Sequence, residues 1–322
     1  MTSPAVFSAA DVFAAVEITD LLDPLVAAMI AVSERTASHP PRFAAPVNDQ
    51  GRMGLMYGSL ERPALHGAKV LSLFPGAPAV GLSSHQGFVV VFDSKDGRPI
   101  AICDADAITA LRTAAMSLLA TQTLARIDPQ IITVCGAGEQ AEWHVRGSIA
   151  CFPQAMIRVW ARRTDAAEAM VQRLAAGSKQ VVGLADLQQA VRGADVIHTT
   201  TASKAAFFCG DWLEPGQHIN LVGASLAATR ELDDAGVARV TMFTDSQESS
   251  SRESGEILEA KEAGAIPADY PVTEIGEVLG RRHPGRVSPG EITAYKSHGL
   301  ILQDLVAAHE VLLRSALTRR AQ

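Results

Sequence analysis

The 322-residue chain predicts an α/β fold, a doubly wound parallel sheet joined to a second domain of α+β type. Three observations carry that prediction. From Ile131 onward, short apolar runs alternate with helical segments, as parallel strands covered on both faces require. A glycine-rich turn joins the first of these runs to the first helix. Before about residue 110 the chain reads instead as short extended pieces separated by turn residues.

The stretch from Ala5 to Val32 is apolar, but Asp11, Glu17, Asp20 and Asp23 interrupt it and no basic residues precede it, so it reads as amphipathic helix rather than a leader. A helix near Leu21 to Arg35 ends before the turn His39-Pro40-Pro41. Extended pieces follow at Gly54–Tyr57, Lys69–Phe74, Gly87–Phe92 and Pro99–Cys103. Pro75-Gly76 and Asp96-Gly97 mark turns between them, and Asp-Gly between apolar runs is a hairpin signal, so an antiparallel sheet with a flanking helix is expected. An Ala- and Leu-rich helix over Ala105–Ile127 stops at Asp128-Pro129. Parallel strands are expected at Ile131–Cys135, Met156–Trp160, Asp195–Thr200, His218–Val222 and Val240–Asp245, with helices at Gln140–Cys151, Asp165–Ala176 and Leu184–Arg192. An extended Ile292–Tyr295 and a long helix over Leu300–Arg319 close the chain.

Composition narrows the function. With 48% apolar residues the chain can fill a core in each of two domains. Its net charge of -7, from 28 basic and 35 acidic residues intermixed, repels phosphate backbones and argues against nucleic acid as a partner. No run is long enough to span a bilayer, so no membrane partner and a cytoplasmic location are expected. Cys103, Cys135, Cys151 and Cys209 form no Cys-x-x-Cys pair and have no histidine cluster at zinc-ligand spacing, so reduced thiols and no metal are expected.

The chemistry begins at Gly136-Ala137-Gly138-Glu139-Gln140-Ala141, entered by an apolar strand and left by a helix. Gly136 permits the tight turn, Gly138 lets backbone approach a pyrophosphate, and the small Ala141 packs helix on strand. The helix N-terminus then offers free N–H groups and a positive dipole end to phosphate. Together these features predict a Rossmann unit that binds a nicotinamide dinucleotide, with Gly136, Ala137, Gly138, Glu139 and Gln140 in its site. At the end of the second strand, an NAD enzyme usually places an acid on the ribose diol. Here Ala161-Arg162-Arg163-Thr164 supplies two guanidinium groups and a hydroxyl, which suit a 2′-phosphate, so NADPH is favoured and NADH is the alternative. Asp165 fits better as a first-turn acid of the next helix.

Several separated stretches resemble the ornithine cyclodeaminase/mu-crystallin family, which includes ketimine and Δ1-pyrroline-2-carboxylate reductases. They are Pro41-Arg42, Gly81–Gly87, Leu111–Ala115, the glycine loop, Asn220–Ser225, Arg230–Leu232, Ser254–Glu256 and Ile292–Ser297. The resemblance implies a substrate-binding and dimerisation domain over residues 1–111, completed by the C-terminal helix 298–322. It implies a Rossmann domain over 112–297 and a homodimer joined through the substrate domains. Arg42, Lys69 and Arg112 match the basic residues that in the family clasp the substrate carboxylate or touch the nicotinamide region. For Arg112 a domain-junction ion pair is an equal reading of the sequence. Ser84, Thr201 and Ser297 match cofactor contacts, as do Val222, Gly223 and Ser225, while local turn chemistry competes for each hydroxyl. His298 matches a position near the nicotinamide and is a candidate substrate contact and proton donor, with a structural histidine as its competitor. Met53, Met56 and Leu226 are candidate pocket residues or core.

One departure bears on the reaction. Where the family's cyclodeaminase carries an aspartate, this chain has Ser225, and a hydroxyl is no general base near neutral pH unless another base activates it. The expected activity is therefore NAD(P)H-dependent reduction of a small cyclic imino acid, with Lys69, Arg112 and Ser225 in the catalytic roles. An NAD-dependent ornithine cyclodeaminase, an amino-acid or opine-type dehydrogenase and a non-catalytic NADPH binder are the alternatives.

Overall fold

A computed structural model describes residues 3–174 and 180–321. The chain opens with β1 (Ala5–Phe7), α1 (Ala9–Ala15) and α2 (Leu22–Ser33). Strands β2 (Phe43–Asn48), β3 (Gly51–Leu60), β4 (Leu65–Leu73), β5 (His85–Asp93) and β6 (Pro99–Asp104) lead into α3 (Ala105–Leu124). Next come β7 (Ile131–Cys135), α4 (Glu139–Cys151), β8 (Met156–Trp160), α5 (Thr164–Leu174), β9 (Val181–Gly183) and α6 (Leu187–Val191). They are followed by β10 (Val196–Thr199), β11 (His218–Leu221), α7 (Asp234–Arg239), β12 (Thr241–Thr244), α8 (Gln247–Glu253) and α9 (Gly255–Glu262). The last elements are β13 (Val272–Glu274), α10 (Ile275–Leu279), β14 (Thr293–Lys296) and α11 (Ile301–Ala321). Two compact units result, residues 1–112 with 300–322, and residues 113–299.

The first unit is a six-stranded sheet in the order β1-β6-β5-β4-β3-β2, antiparallel except for the parallel pair β1 and β6. Helix α11 lies on one face. Gly58 and Gly67 let it do so, because a Cβ at either would stand 2.7 Å from Ile301 or Leu305. The apolar N-terminal stretch is no single helix. Ser8 and Asp11 form a capping box that starts α1, and Glu17 with Asp20 forms a second that starts a short 3-10 turn ahead of α2. Strand β2 is unexpected, since Pro46 removes a ladder donor; it is tolerated because β2 is an edge strand.

The second unit is an eight-stranded, wholly parallel sheet in the order β13-β12-β14-β11-β10-β7-β8-β9. Both faces are covered. Neighbouring residues Val196 and Ile197 fall into different apolar clusters, one with Ala141, Val145 and Met170 of α4 and α5, the other with Val191, Val237 and Ile257 of α6, α7 and α9. The chain direction away from the sheet centre reverses between β7 and β10, the place where open α/β sheets take ligands. The five expected parallel strands are present, unchanged or trimmed by at most one residue at either end, and the extended Ile292–Tyr295 is β14 shifted by one residue, whereas the three-residue edge strands β9 and β13 carry too little pattern to be read in advance. Helix α5 ends at Leu174, and residues 175 and 176 of the expected helix lie outside the described residues.

Candidate active site

In the first unit, β3 and β4 pair so that Met56 stands opposite Lys69, on the face that carries α11. Arg42 immediately precedes β2, whose first residue Phe43 pairs with Leu55, so the backbone sets Arg42 beside that same rung. Met53 has the opposite parity and lies 51% exposed, so it does not share a face with Met56 and Lys69. Lys69 is buried. Its Nζ donates to Asp304 Oδ1 at 2.9 Å and to Thr109 Oγ1. The Thr109 hydroxyl itself donates to the Ala105 carbonyl, so it can only accept from Lys69. Two of the three ammonium hydrogens are thereby used, and the third has no partner among the described residues.

Arg112, also buried, donates from Nε to the same Asp304 oxygen at 3.1 Å and from Nη1 to Gln303 Oε1 at 2.9 Å. Its Nη2 has no partner among the described residues. Asp304 is fully buried, and its Oδ2 has no hydrogen-bond partner among the described residues. Burial pushes the Lys69 ammonium below the usual lysine value, and Arg112 pushes the same way while Asp304 opposes both. The cluster thus holds two cations against one carboxylate, with guanidinium and ammonium hydrogens left for an anion. Ser84 lies in the loop before β5, its hydroxyl 2.8 Å from Nδ1 of His85.

In the second unit the expected site residues gather at the carboxyl ends of the parallel strands. Gly136 follows β7 with φ of +142°, a conformation that favours glycine, and a Cβ there would meet the Thr200 hydroxyl at 2.6 Å. Gly138 caps α4, and a Cβ on it would meet nothing within 4 Å, so the backbone at the helix N-terminus is open to a ligand. After β8, Ala161 is buried while Arg162, Arg163 and Thr164 are exposed. Arg163 Nε lies 3.4 Å from Asp165, a first-turn residue of α5, and Arg162 has no ion-pair or hydrogen-bond partner among the described residues. Open backbone, a helix N-terminus and unpaired guanidinium hydrogens fit a phosphorylated dinucleotide.

The loops after β10 and β11 are tied by a residue from the Arg230–Leu232 stretch to which the sequence assigned no role. Buried Glu231 accepts from Thr201 N and Oγ1 at 2.8 and 2.7 Å, from Thr199 Oγ1 at 2.7 Å and from Gly223 N at 2.8 Å. Burial pushes its carboxyl above the usual range, and these donors pull against that. The Thr201 proton is committed to Glu231 and its oxygen already accepts from Ser203 N at 3.2 Å, so toward any further group the hydroxyl can act only as an acceptor. Glu231 N in turn donates to Glu256 at 3.1 Å, and Glu256 pairs with fully buried Lys296 at 2.8 Å. Lys296 also donates to the Ala224 carbonyl, which fixes the backbone just before half-buried Ser225. Ser297 N donates to the Leu221 carbonyl at 3.0 Å, while His298 N and Gly299 N share Asp245 Oδ2 at 3.0 and 2.8 Å. Glu231, Glu256 and Lys296 lie in stretches that carry the family resemblance and Asp304 lies in none, but all four went without a role because they are partners of site residues, and only the fold reveals a partnership.

A family model described as the ornithine cyclodeaminase/mu-crystallin family matches residues 2–316, nearly the whole chain. The chain belongs to the ornithine cyclodeaminase/mu-crystallin family. Within that family it is 36% identical to the Δ1-pyrroline-2-carboxylate reductase of Paracoccus denitrificans over 76% of this chain and 77% of that one. It is 34% identical to the mouse ketimine reductase mu-crystallin over 89% of this chain and 90% of that one. Among solved structures it resembles the Thermococcus litoralis Δ1-pyrroline-2-carboxylate reductase in complex with NADH and L-proline, with a TM-score of 0.90, 27% identity and 98% of each chain covered. The α/β fold with its parallel, dinucleotide-binding type of sheet is thus that of the ornithine cyclodeaminase/mu-crystallin family.

Proposed function

We propose that this chain is an NAD(P)H-dependent oxidoreductase that reduces the C=N bond of cyclic imino acids. Δ1-Pyrroline-2-carboxylate would give L-proline, and Δ1-piperideine-2-carboxylate would give L-pipecolate. The reductases among its relatives support the reaction class. The observation that carries it is the Lys69–Asp304–Arg112 cluster, whose one uncompensated positive charge answers the single carboxylate of such a substrate.

Arg42, Lys69 and Arg112 hold that carboxylate and fix the reacting carbon, as a small ligand with one strong handle requires. Gly136, Gly138 and the α4 N-terminus hold the pyrophosphate of the dinucleotide, and Arg162 with Thr164 favours NADPH over NADH. When bound, the reduced nicotinamide supplies the hydride. Ser225 orients substrate or cofactor by hydrogen bonding and supplies no carboxylate base, which favours imine reduction over ammonia loss.

The outer face of the first unit's sheet supports a homodimer. Phe43, Tyr57 and Phe88 are 62%, 49% and 57% exposed, and Leu55 and Val70 share the Phe43–Phe88 rung. Side by side they make an apolar sheet face, which suits burial against a second copy of this chain. The four free cysteines suit a reducing cytoplasm.

Purified protein should oxidise NADPH when given pyrroline- or piperideine-2-carboxylate, and do so faster than it oxidises NADH. Ammonia release from ornithine without net cofactor change, or no turnover of any imino acid, would overturn the reading.

A further inference from the structure

We propose that Asp304 is a positioning residue that keeps Lys69 an ammonium with one hydrogen free, so that Lys69 gives the reduced nitrogen its proton. The proposal rests on the imino-acid reductase reading. Adding hydride to the carbon of a C=N bond leaves the nitrogen needing a proton. Lys69 is placed to give one, because Asp304 Oδ1 and Thr109 Oγ1 occupy two of its hydrogens and leave the third without a partner among the described residues. A neutral amine in the same pose would spend both hydrogens on those two acceptors and turn a lone pair to the ligand. The charge state of Lys69 therefore decides whether it donates or accepts.

The groups facing Lys69 decide that charge. From α3 come Arg112, which disfavours the ammonium, and Asp106, which favours it more weakly. From β5 comes His85, itself held below the ordinary histidine value by burial first, with the Lys69 charge acting the same way. From β3 the opposite residue is uncharged Met56. From α11 comes Asp304, in direct contact and fully buried, and among the described residues its Oδ2 has no hydrogen-bond partner and its ion pairs are with Lys69 and Arg112 alone. Of these groups, Asp304 is the strongest that opposes burial and Arg112. In the step itself a Lys69 N–H bond breaks, its electron pair staying on Nζ. The imine nitrogen forms the new N–H bond with its own lone pair, and the hydride supplied by the cofactor forms the new C–H bond. Solvent then reprotonates the amine.

The test is Asp304→Asn, which keeps the shape and removes the charge. The Lys69 midpoint, followed by NMR of the 15N-labelled side chain, should fall by about one unit or more. The alkaline limb of kcat/KM should fall by the same amount, with the NADPH Kd within about twofold of wild type. Asp304→Glu should restore the limb. If Asp304→Asn does not fold, the wild type still decides: its Lys69 midpoint must coincide with the alkaline limb. Lys69→Arg, which keeps charge and gives up its proton only above pH 12, should lose about 100-fold or more in kcat with KM little changed. An unmoved Lys69 midpoint in Asp304→Asn, a limb that ignores the midpoint, or a Lys69→Arg enzyme with wild-type kcat overturns the proposal. A wild type inactive on every imino acid sinks the reductase reading and the donor step with it. The effect of Asp304 on the Lys69 midpoint would still stand or fall by NMR.

Discussion

Replacing Arg162 with alanine probes the cofactor preference most directly. Arg162 stands after β8, exposed and unpartnered among the described residues, so the substitution breaks no hydrogen bond or ion pair among them. Arg163 already lies 3.4 Å from Asp165, and both side chains are exposed, at 73% and 76%. It therefore gives up part of its charge complementarity before any ligand arrives. A hydrogen bond between two charged groups contributes about 1.5–3 kcal/mol when sheltered, and solvent screening at an exposed site brings that to about 1–2 kcal/mol. The NADPH Kd should accordingly rise ~5- to 30-fold in Arg162→Ala. It should rise less in Arg163→Ala, while the NADH Kd, with no 2′-phosphate to lose, should move less than about twofold. Calorimetric titration of each variant with both dinucleotides measures this, and raised salt should shrink the NADPH effect. Equal weakening toward NADPH and NADH would show that the residue supports the loop and does not read the phosphate.

Acid should weaken the fold through its buried histidines. His144, whose Nδ1 donates to the Gln140 carbonyl at 2.6 Å, is held by burial to about 4 from 6.5, so the unfolded chain takes up its proton first. The stability it contributes is complete above pH 6.5 and drains as pH falls toward 4, with about 2 kcal/mol lost at pH 5. Urea denaturation of wild type and His144→Gln at pH 7.5 and 5 should differ by that amount, and identical pH dependence in the two would refute it. Lys296→Met leaves Glu256 buried without its cation and should destabilise the fold by about 3–5 kcal/mol in chemical denaturation. A loss below about 1 kcal/mol would mean that the pair is solvated. Charged substitutions at Phe43 and Phe88 should shift sedimentation from dimer toward monomer without unfolding the chain, and an unchanged species would place the interface elsewhere.

The sequence made the central sheet readable because its inner strands are short, largely apolar runs bounded by turn and helix signals. Ile131–Cys135 and Met156–Trp160 are strands over the expected spans, with Ile132, Val134, Ile157 and Val159 fully buried and the polar Arg158 satisfied by the Ala190 and Arg192 carbonyls. Strand order was another matter. β14, the last strand in sequence, pairs with β11 and β12 near the middle of the sheet, and no local pattern encodes that insertion. Loop residues at strand ends were legible for the opposite reason, since Gly136, Gly138 and Arg162 each carry a chemical signature of their own. Their supports do not. Lys69 and Asp304 lie 235 positions apart, and Glu231, though within the Arg230–Leu232 stretch, has no role until Thr199, Thr201 and Gly223 are seen to converge on it.

The two units spend their buried charge in opposite ways. In the first, two cations share one carboxylate oxygen and keep hydrogens in reserve, so the cluster is short of negative charge. In the second, the carboxylates Glu231 and Glu256 outnumber the single cation Lys296, but four donors saturate Glu231 and its backbone binds Glu256. In this network Glu256 answers the Lys296 charge at 2.8 Å and the carboxylates are in excess, so it offers no surplus positive charge to an anionic ligand and serves to hold loops still. A cluster with surplus buried charge is costly unless a ligand answers it, since a buried charge without a partner destabilises the fold. Substrate recognition is therefore expected at Lys69 and Arg112, with Lys296 and Glu231 keeping the cofactor loops in shape. Lys296→Met should consequently raise the Kd for NADPH, whereas Arg112→Met should raise KM for the imino acid and leave NADPH binding largely unchanged. Exchanged effects in those two variants would reverse this division of roles.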